Sequence, residues 1–94
     1  MATEKKEMTK IFTIKNALGL HARAAAAFVK IANRFQSEIA VKKDDSEVNG
    51  KSIMGVLMLA AAQGSEISIT ARGGDANDAV AALGGLIDEK FGED

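Results

Sequence analysis

Apolar and polar positions alternate over Met8–Lys15, where Phe12 and Ile14 are interleaved with Thr13 and Lys15. A period of two predicts a first strand. Asn16–Leu20 reads as a loop, with Asn16 and Gly19 as its turn residues. From Ala22 to Arg34 the period lengthens: Ala25, Phe28, Val29, Ala32 and Phe35 fall at helical spacing on one face. The segment has no proline or glycine and is rich in alanine, so it is predicted to be a helix. Glu38–Lys43 returns to alternation, with Ile39 and Val41 on one side, and predicts a second strand. Asp44-Asp45-Ser46 is a turn, and Glu47–Asn49 a short returning strand.

Asn49-Gly50 interrupts the chain, and Ser52 stands where a helix N-cap belongs, just before Ile53. A short helix is expected to about Ala61, with Gly64 as a left-handed terminating residue. Ser65–Arg72 alternates again, placing Ile67, Ile69 and Ala71 inward. Gly73-Gly74 is a turn, Asp75 the expected N-cap of a last helix, and Ala76, Ala79, Val80, Leu83, Leu86, Ile87 and Phe91 its core stripe. Gly84 and Gly85 each cost that helix about 1 kcal/mol relative to alanine, so its end is expected to fray. The order β-α-β-β-α-β-α gives four strands with one apolar face each. They need a single covering layer, which predicts an α+β fold with a mostly antiparallel sheet covered on one face by helices.

Composition narrows the function. The chain has 94 residues, 47% hydrophobic and 27% charged, which suits one globular domain over residues 8–94 after a flexible, polar extension over 1–7. There are no cysteines and one histidine, which excludes disulfides, thiol nucleophiles and Cys- or His-pair metal sites, so no metal or cofactor is expected. Twelve basic against thirteen acidic side chains, with four phenylalanines as the sole aromatics, argue against a nucleic-acid partner. The extension has no signal-peptide character. The longest apolar run, ten residues over Ile53–Ala62, is far short of the roughly 20 a membrane span needs. A cytoplasmic protein without membrane insertion is expected. Asp44-Asp45 reads as a solvated turn with too few ligands for calcium, and Gly73-Gly74 lacks the continuation of a phosphate loop.

His21 is the one side chain that titrates by default near neutral pH, and it falls at the junction of the Gly19-Leu20 turn and the first helix. Unpaired N–H groups and the positive end of the helix dipole there favour an anion, phosphate above all. The same field favours the neutral, nucleophilic imidazole over imidazolium. Arg23 adds a donor fork suited to phosphate oxygens. Position alone favours the plainer reading, a histidine that caps the helix beside a solvated arginine, since single histidines seldom signal catalysis. Ser52 is read from its position as an N-cap. The helix after it is apolar all round. Val56 and Leu59 are expected to face inward, leaving Ile53, Met54 and Leu57 as an exposed patch for docking.

The run Asn16-Ala-Leu-Gly-Leu-His21-Ala-Arg23 resembles the active-site segment of the HPr family, the histidine phosphocarriers of the phosphoenolpyruvate:sugar phosphotransferase system. Gly50-Lys-Ser52-Ile-Met-Gly-Val-Leu57-Met58 is similar to that family's second signature, the serine regulatory segment. The separation of the two and the element order agree over nearly all of Met8–Phe91. The resemblance implies an open-faced β-sandwich of four antiparallel strands and three helices. It implies that His21 accepts a phosphoryl group on Nδ1 from phospho-enzyme I and passes it to a histidine of an enzyme IIA domain, with Arg23 binding the phosphoryl oxygens. Ala22, Arg23, Ala26, Ile53, Met54 and Leu57 would meet those partners, and Ser52 would be the target of an HPr kinase/phosphorylase. The chain would act as a monomeric carrier, a component of a phosphotransferase system rather than a turnover enzyme in its own right. The family usually has a proline directly after the arginine; here it is Ala24, which bears on the rigidity of the loop–helix junction and the speed of transfer. A regulatory adaptor of the same fold controlled at Ser52, a nitrogen-branch phosphocarrier and a small ligand-binding domain are the alternatives. Retention of both His21 and Arg23 speaks against the adaptor.

Overall fold

In the computed structural model, residues 6–93 are described. The extension expected over 1–7 therefore lies outside the described residues for its first five positions. The strands are β1 (Glu7–Thr13), β2 (Glu38–Lys43), β3 (Ser46–Asn49) and β4 (Glu66–Arg72); the helices are α1 (Ala22–Ala32), α2 (Ile53–Met58) and α3 (Ala76–Asp88), followed by a short 3-10 turn at Lys90–Gly92. The strands form one antiparallel sheet in the order β1-β4-β2-β3. This is the two-layer α+β architecture that the alternation patterns predict, an open-faced sandwich of four strands under three helices.

Register explains the single covered face. Ile67, Ile69 and Ala71 of β4 pair with Phe12, Lys10 and Met8 of β1, while Ile69 and Ala71 also pair with Val41 and Ile39 of β2. The side-chain period of two sends Ile39, Val41, Ile67, Ile69 and Ala71 to the helical side, where all are buried. Glu66, Ser68, Thr70 and Arg72 alternate to the open side, and Ile11 is left exposed there on the edge strand. On the covered side α3 packs over β1 and β4, and α1 packs against α2 and α3. Phe28, Leu83, Ile87, Val56 and Val80 fill the space between the layers.

Several boundaries differ from the sequence expectation for identifiable reasons. The first helix ends at Ala32, two residues early: the N–H of Arg34 bonds the Ile31 carbonyl and that of Phe35 the Ala32 carbonyl, so the last turn tightens out of the α-helix. The second helix stops at Met58 rather than Ala61, because Ala60 takes a left-handed conformation (φ 49°). Gly64 (φ 89°) instead shapes the turn into β4, donating its N–H to the Ile14 carbonyl at 2.8 Å.

The last helix does not fray at its glycines; it runs through both to Asp88. Gly84 lies under the Phe12 ring, and any Cβ there would collide with that ring. The residue is thus a packing requirement and not a weak point. The chain turns after the helix through left-handed Lys90 and Phe91 (φ 58° and 56°), which leaves Phe91 half-buried against the core instead of in line with the helical stripe.

Asp75 holds the N-cap position of α3 as expected, its carbonyl accepting from the Ala79 N–H at 2.9 Å, but its side chain is engaged elsewhere. Its carboxylate makes no capping bond and accepts from the Gln36 and Ser37 N–H groups at 2.9 and 3.0 Å and from the Ser37 hydroxyl at 2.5 Å. It ties the turn before β2 to the start of α3.

Candidate functional site

His21 occupies the residue before α1 in an extended conformation (φ −76°, ψ −179°) and makes no side-chain capping bond. The first helical bond runs from the Ala25 N–H to the His21 carbonyl at 2.8 Å. Among the described residues the N–H groups of Ala22, Arg23 and Ala24 have no partner, as the geometry of a helix start dictates. These donors and the positive helix end lie beside the imidazole. The Ala24 side chain is fully buried, and its N–H is one of the unpaired three, so nothing at this position demands the hydrogen that proline would lack.

The loop before His21 is held rigidly. Gly19 is left-handed (φ 66°) and lies against the Ala61 backbone so closely that a Cβ would strike the Ala61 carbonyl oxygen. The next N–H, that of Leu20, donates to the same carbonyl at 2.9 Å. Asn16 is fully buried, and its Nδ2 donates to the Gly19 carbonyl at 2.8 Å and to Glu93 Oε1 at 3.0 Å. Both partners only accept, so the amide must present nitrogen to them, and its buried Oδ1 has no partner among the described residues.

Glu93 closes the site from the other end of the chain. The 3-10 turn carries it back to α1, and its Oε2 lies 2.5 Å from His21 Nε2. The hydrogen bond from His21 is the main reason its carboxyl is held below the ordinary glutamate value; burial works against this, and Asn16 and the charges of His21 and Arg23 add to it. This carboxylate presents to the ring a charge opposite in sign to the field of the helix end. Leu18, His21, Ala22, Arg23, Gly92 and Glu93 line an open cleft of about 670 Å³. Arg23 is exposed and, among the described residues, forms no ion pair.

Ser52 caps α2 as expected, its Oγ accepting from the Gly55 N–H at 3.1 Å. Val56 and Leu59 are buried, and Ile53 and Met54 are exposed, again as expected. Leu57 is a correction: it is half-buried and packed against the core, and Met58, at 76% exposure, takes its place on the surface. Leu57 lies about 100° round the helix from fully buried Val56 and so at the flank of the buried face, whereas Met58 lies about 200° round and points away. Ala22 and Ala26 are exposed on α1. Among the described residues, no three His, Cys, Asp or Glu side chains are grouped to hold a metal ion. No helix there is long and apolar enough to cross a membrane.

Comparison with known proteins bears on this arrangement. Residues 8–89 match the family described as "PTS HPr component phosphorylation site". The chain belongs to the HPr family. A phosphocarrier protein HPr of Neisseria meningitidis is 54% identical over 80 residues, covering 85% of this chain and 90% of that protein. Two crystal structures from Thermoanaerobacter tengcongensis match the HPr fold seen here. HPr-C-His aligns with a TM-score of 0.86 at 49% identity, covering 95% of this chain and 98% of its own. An HPr dimer aligns at 0.75 and 50% identity, covering 87% and 94%. The protein is therefore a phosphocarrier of the phosphotransferase system.

Four features of the structure around these segments escape sequence reasoning. Asn16 is a turn residue as read, its carbonyl accepting from the Gly19 N–H at 3.2 Å, but nothing in the sequence marks its side chain as a buried double donor. Leu18 and Met58 look like loop and core residues and are both exposed, Leu18 beside the cleft. Glu93 lies 72 positions from His21 and beyond every periodic segment, so no local pattern marks it.

Proposed function

We propose that His21 accepts a phosphoryl group on Nδ1 from phospho-enzyme I and passes it to enzyme IIA domains. The observation that carries this is the pairing of one imidazole with three N–H groups at the start of α1 and an arginine in the same cleft, none of which has a partner among the described residues. The chemistry asks for little else. Phosphoryl transfer between nitrogen atoms is governed by positioning and by charge stabilisation on the phosphoryl oxygens. The helix end supplies fixed dipoles for those oxygens, and Arg23 supplies a planar fork.

Docking of both partners is assigned to the exposed surface beside the cleft: Ala22, Ala26, Ile53 and Met54, with Met58 added and Leu57 contributing from its half-buried position. Ser52 is proposed as a regulatory phosphorylation site for an HPr kinase/phosphorylase, since a phosphate there would sit at the N-terminus of α2 beside that apolar surface. The protein works as a monomer in the cytoplasm on this reading.

Incubation with phosphoenolpyruvate and enzyme I, followed by intact mass, tests it. One added phosphoryl group, acid-labile and alkali-stable, is expected in the wild type and none in His21→Ala. Equal phosphorylation of His21→Ala would overturn the assignment.

A further inference from the structure

We propose that Glu93 is a positioning residue for phosphoryl transfer: its carboxylate holds the Nε2–H of His21 so that the Nδ1 lone pair is the free nucleophile, and it neutralises the ring once Nδ1 carries phosphorus. The inference deepens the reading of His21 as phosphoryl acceptor and rests on it.

The argument begins with donors and acceptors. An ionised carboxylate can only accept, so a neutral imidazole bonded to it must carry its proton on Nε2. Glu93 Oε2 and His21 Nε2 are 2.5 Å apart, the range of a strong charge-assisted bond. Nδ1 is then the unprotonated nitrogen, and among the described residues no hydrogen bond engages it. The carboxylate is itself oriented: its other oxygen accepts from Nδ2 of fully buried Asn16, whose second hydrogen goes to the Gly19 carbonyl. The ring is therefore fixed by a chain of contacts anchored in the rigid loop, and Glu93 is only 16% exposed.

The same contact completes the charge balance of the transfer. The Nδ1 lone pair attacks phosphorus, a new N–P bond forms, and the bond to the donor breaks with its electron pair returning to the donor. The imidazole keeps its Nε2 proton and becomes formally cationic. At a helix N-terminus that positive charge is unfavourable, and the Glu93 carboxylate offsets it from the side away from the phosphoryl group. In the onward transfer the sequence reverses, and the proton again need not leave Nε2. A carboxylate that orients a histidine and stabilises its cationic form while staying ionised is the role such a group takes in nucleophilic catalysis.

The lowered proton affinity of Glu93 agrees with its remaining ionised at the pH where the carrier works.

The test uses full-length wild type, Glu93→Ala and Glu93→Gln, with thermal melts to establish that all are folded. Two readouts are taken. The first is the imidazole Nε2 proton in NMR spectra of the unphosphorylated protein. A protected, strongly downfield signal is expected in wild type and its loss in Glu93→Ala, with Glu93→Gln retaining a weaker bond. The second is the rate of phosphorylation by enzyme I and phosphoenolpyruvate against carrier concentration. Glu93→Ala is expected to lose about tenfold or more in kcat with little change in KM, and Glu93→Gln to fall between, because it keeps an acceptor without the charge. Wild-type kinetics in Glu93→Ala, or an Nε2 proton that exchanges equally fast in both, overturns the role of Glu93 while leaving His21 as acceptor. Failure of wild type to accept phosphate overturns the acceptor reading, and with it the role assigned to Glu93.

Discussion

Ser52 shows how one side chain serves stability and, on the proposed reading, regulation. Its hydroxyl satisfies one of the orphan donors of a helix only six residues long, and such a helix has little propensity of its own to fall back on. Ser52→Ala should destabilise the protein by about 1 kcal/mol in urea unfolding. Ser52→Asp keeps an acceptor at the same place and adds charge where the helix dipole favours it, so its stability should stay within about 1 kcal/mol of wild type. Its effect should appear elsewhere. A carboxylate beside Ile53 and Met54 would be desolvated without a partner when that surface is covered. Phosphorylation of His21 by enzyme I should then slow at limiting carrier concentration. Unchanged kinetics would leave Ser52 as a cap and nothing more.

The elements are held in place by close approaches that a single methyl group would disturb, and α3 offers a controlled comparison. Gly84 and Gly85 are adjacent, both helical, and carry the same intrinsic penalty. Gly84 faces the Phe12 ring of β1, whereas nothing lies near the position a Cβ would take on Gly85. Gly84→Ala should therefore be destabilising by about 1 kcal/mol or more net, since overpacking outweighs the gain in helix propensity. Gly85→Ala should stabilise by up to about 1 kcal/mol, because the unfolded chain loses freedom and no contact is harmed. Thermal melts of the two variants decide the matter, and melting points shifted in the same direction would refute this packing of α3 on β1.

At the scale of the whole molecule, Asp75 joins the turn before β2 to the start of α3. The Ser37 hydroxyl bond is the largest cause of its lowered proton affinity, followed by the Gln36 N–H; burial opposes both, and the Ser37 N–H adds to them. A carboxyl whose folded value lies below its unfolded one contributes stability at pH above the unfolded value of about 3.9, and that contribution is lost as pH falls through the folded value. The stability difference between wild type and Asp75→Asn should thus be constant near neutrality and shrink below about pH 4. Urea unfolding across that range checks it; a difference that grows on acidification would mean the carboxylate is not stabilised by the fold.

What the chain dictates by itself is what depends on period and punctuation. The alternations around Ile39, Val41, Ile67 and Ile69 determine the covered face of the sheet, because a strand buried on one side has no other way to place them. The Asn16–Arg23 and Gly50–Met58 segments are legible as local motifs, since their residues act within a turn of one another. Tertiary structure decides whatever depends on contacts between distant positions. Asp75 stands at the cap position in sequence and in the fold, yet its carboxylate goes to donors of Gln36 and Ser37. Gly84 looks like a helix defect until Phe12 is laid across it. Leu57 and Met58 are equally apolar neighbours, and only the face that α2 packs against the rest of the molecule separates core from surface. Glu93 carries no pattern at all; it reaches His21 because the fold returns the end of the chain to the start of α1, and hydrogen-bonding geometry there is set by position in space rather than by separation along the chain.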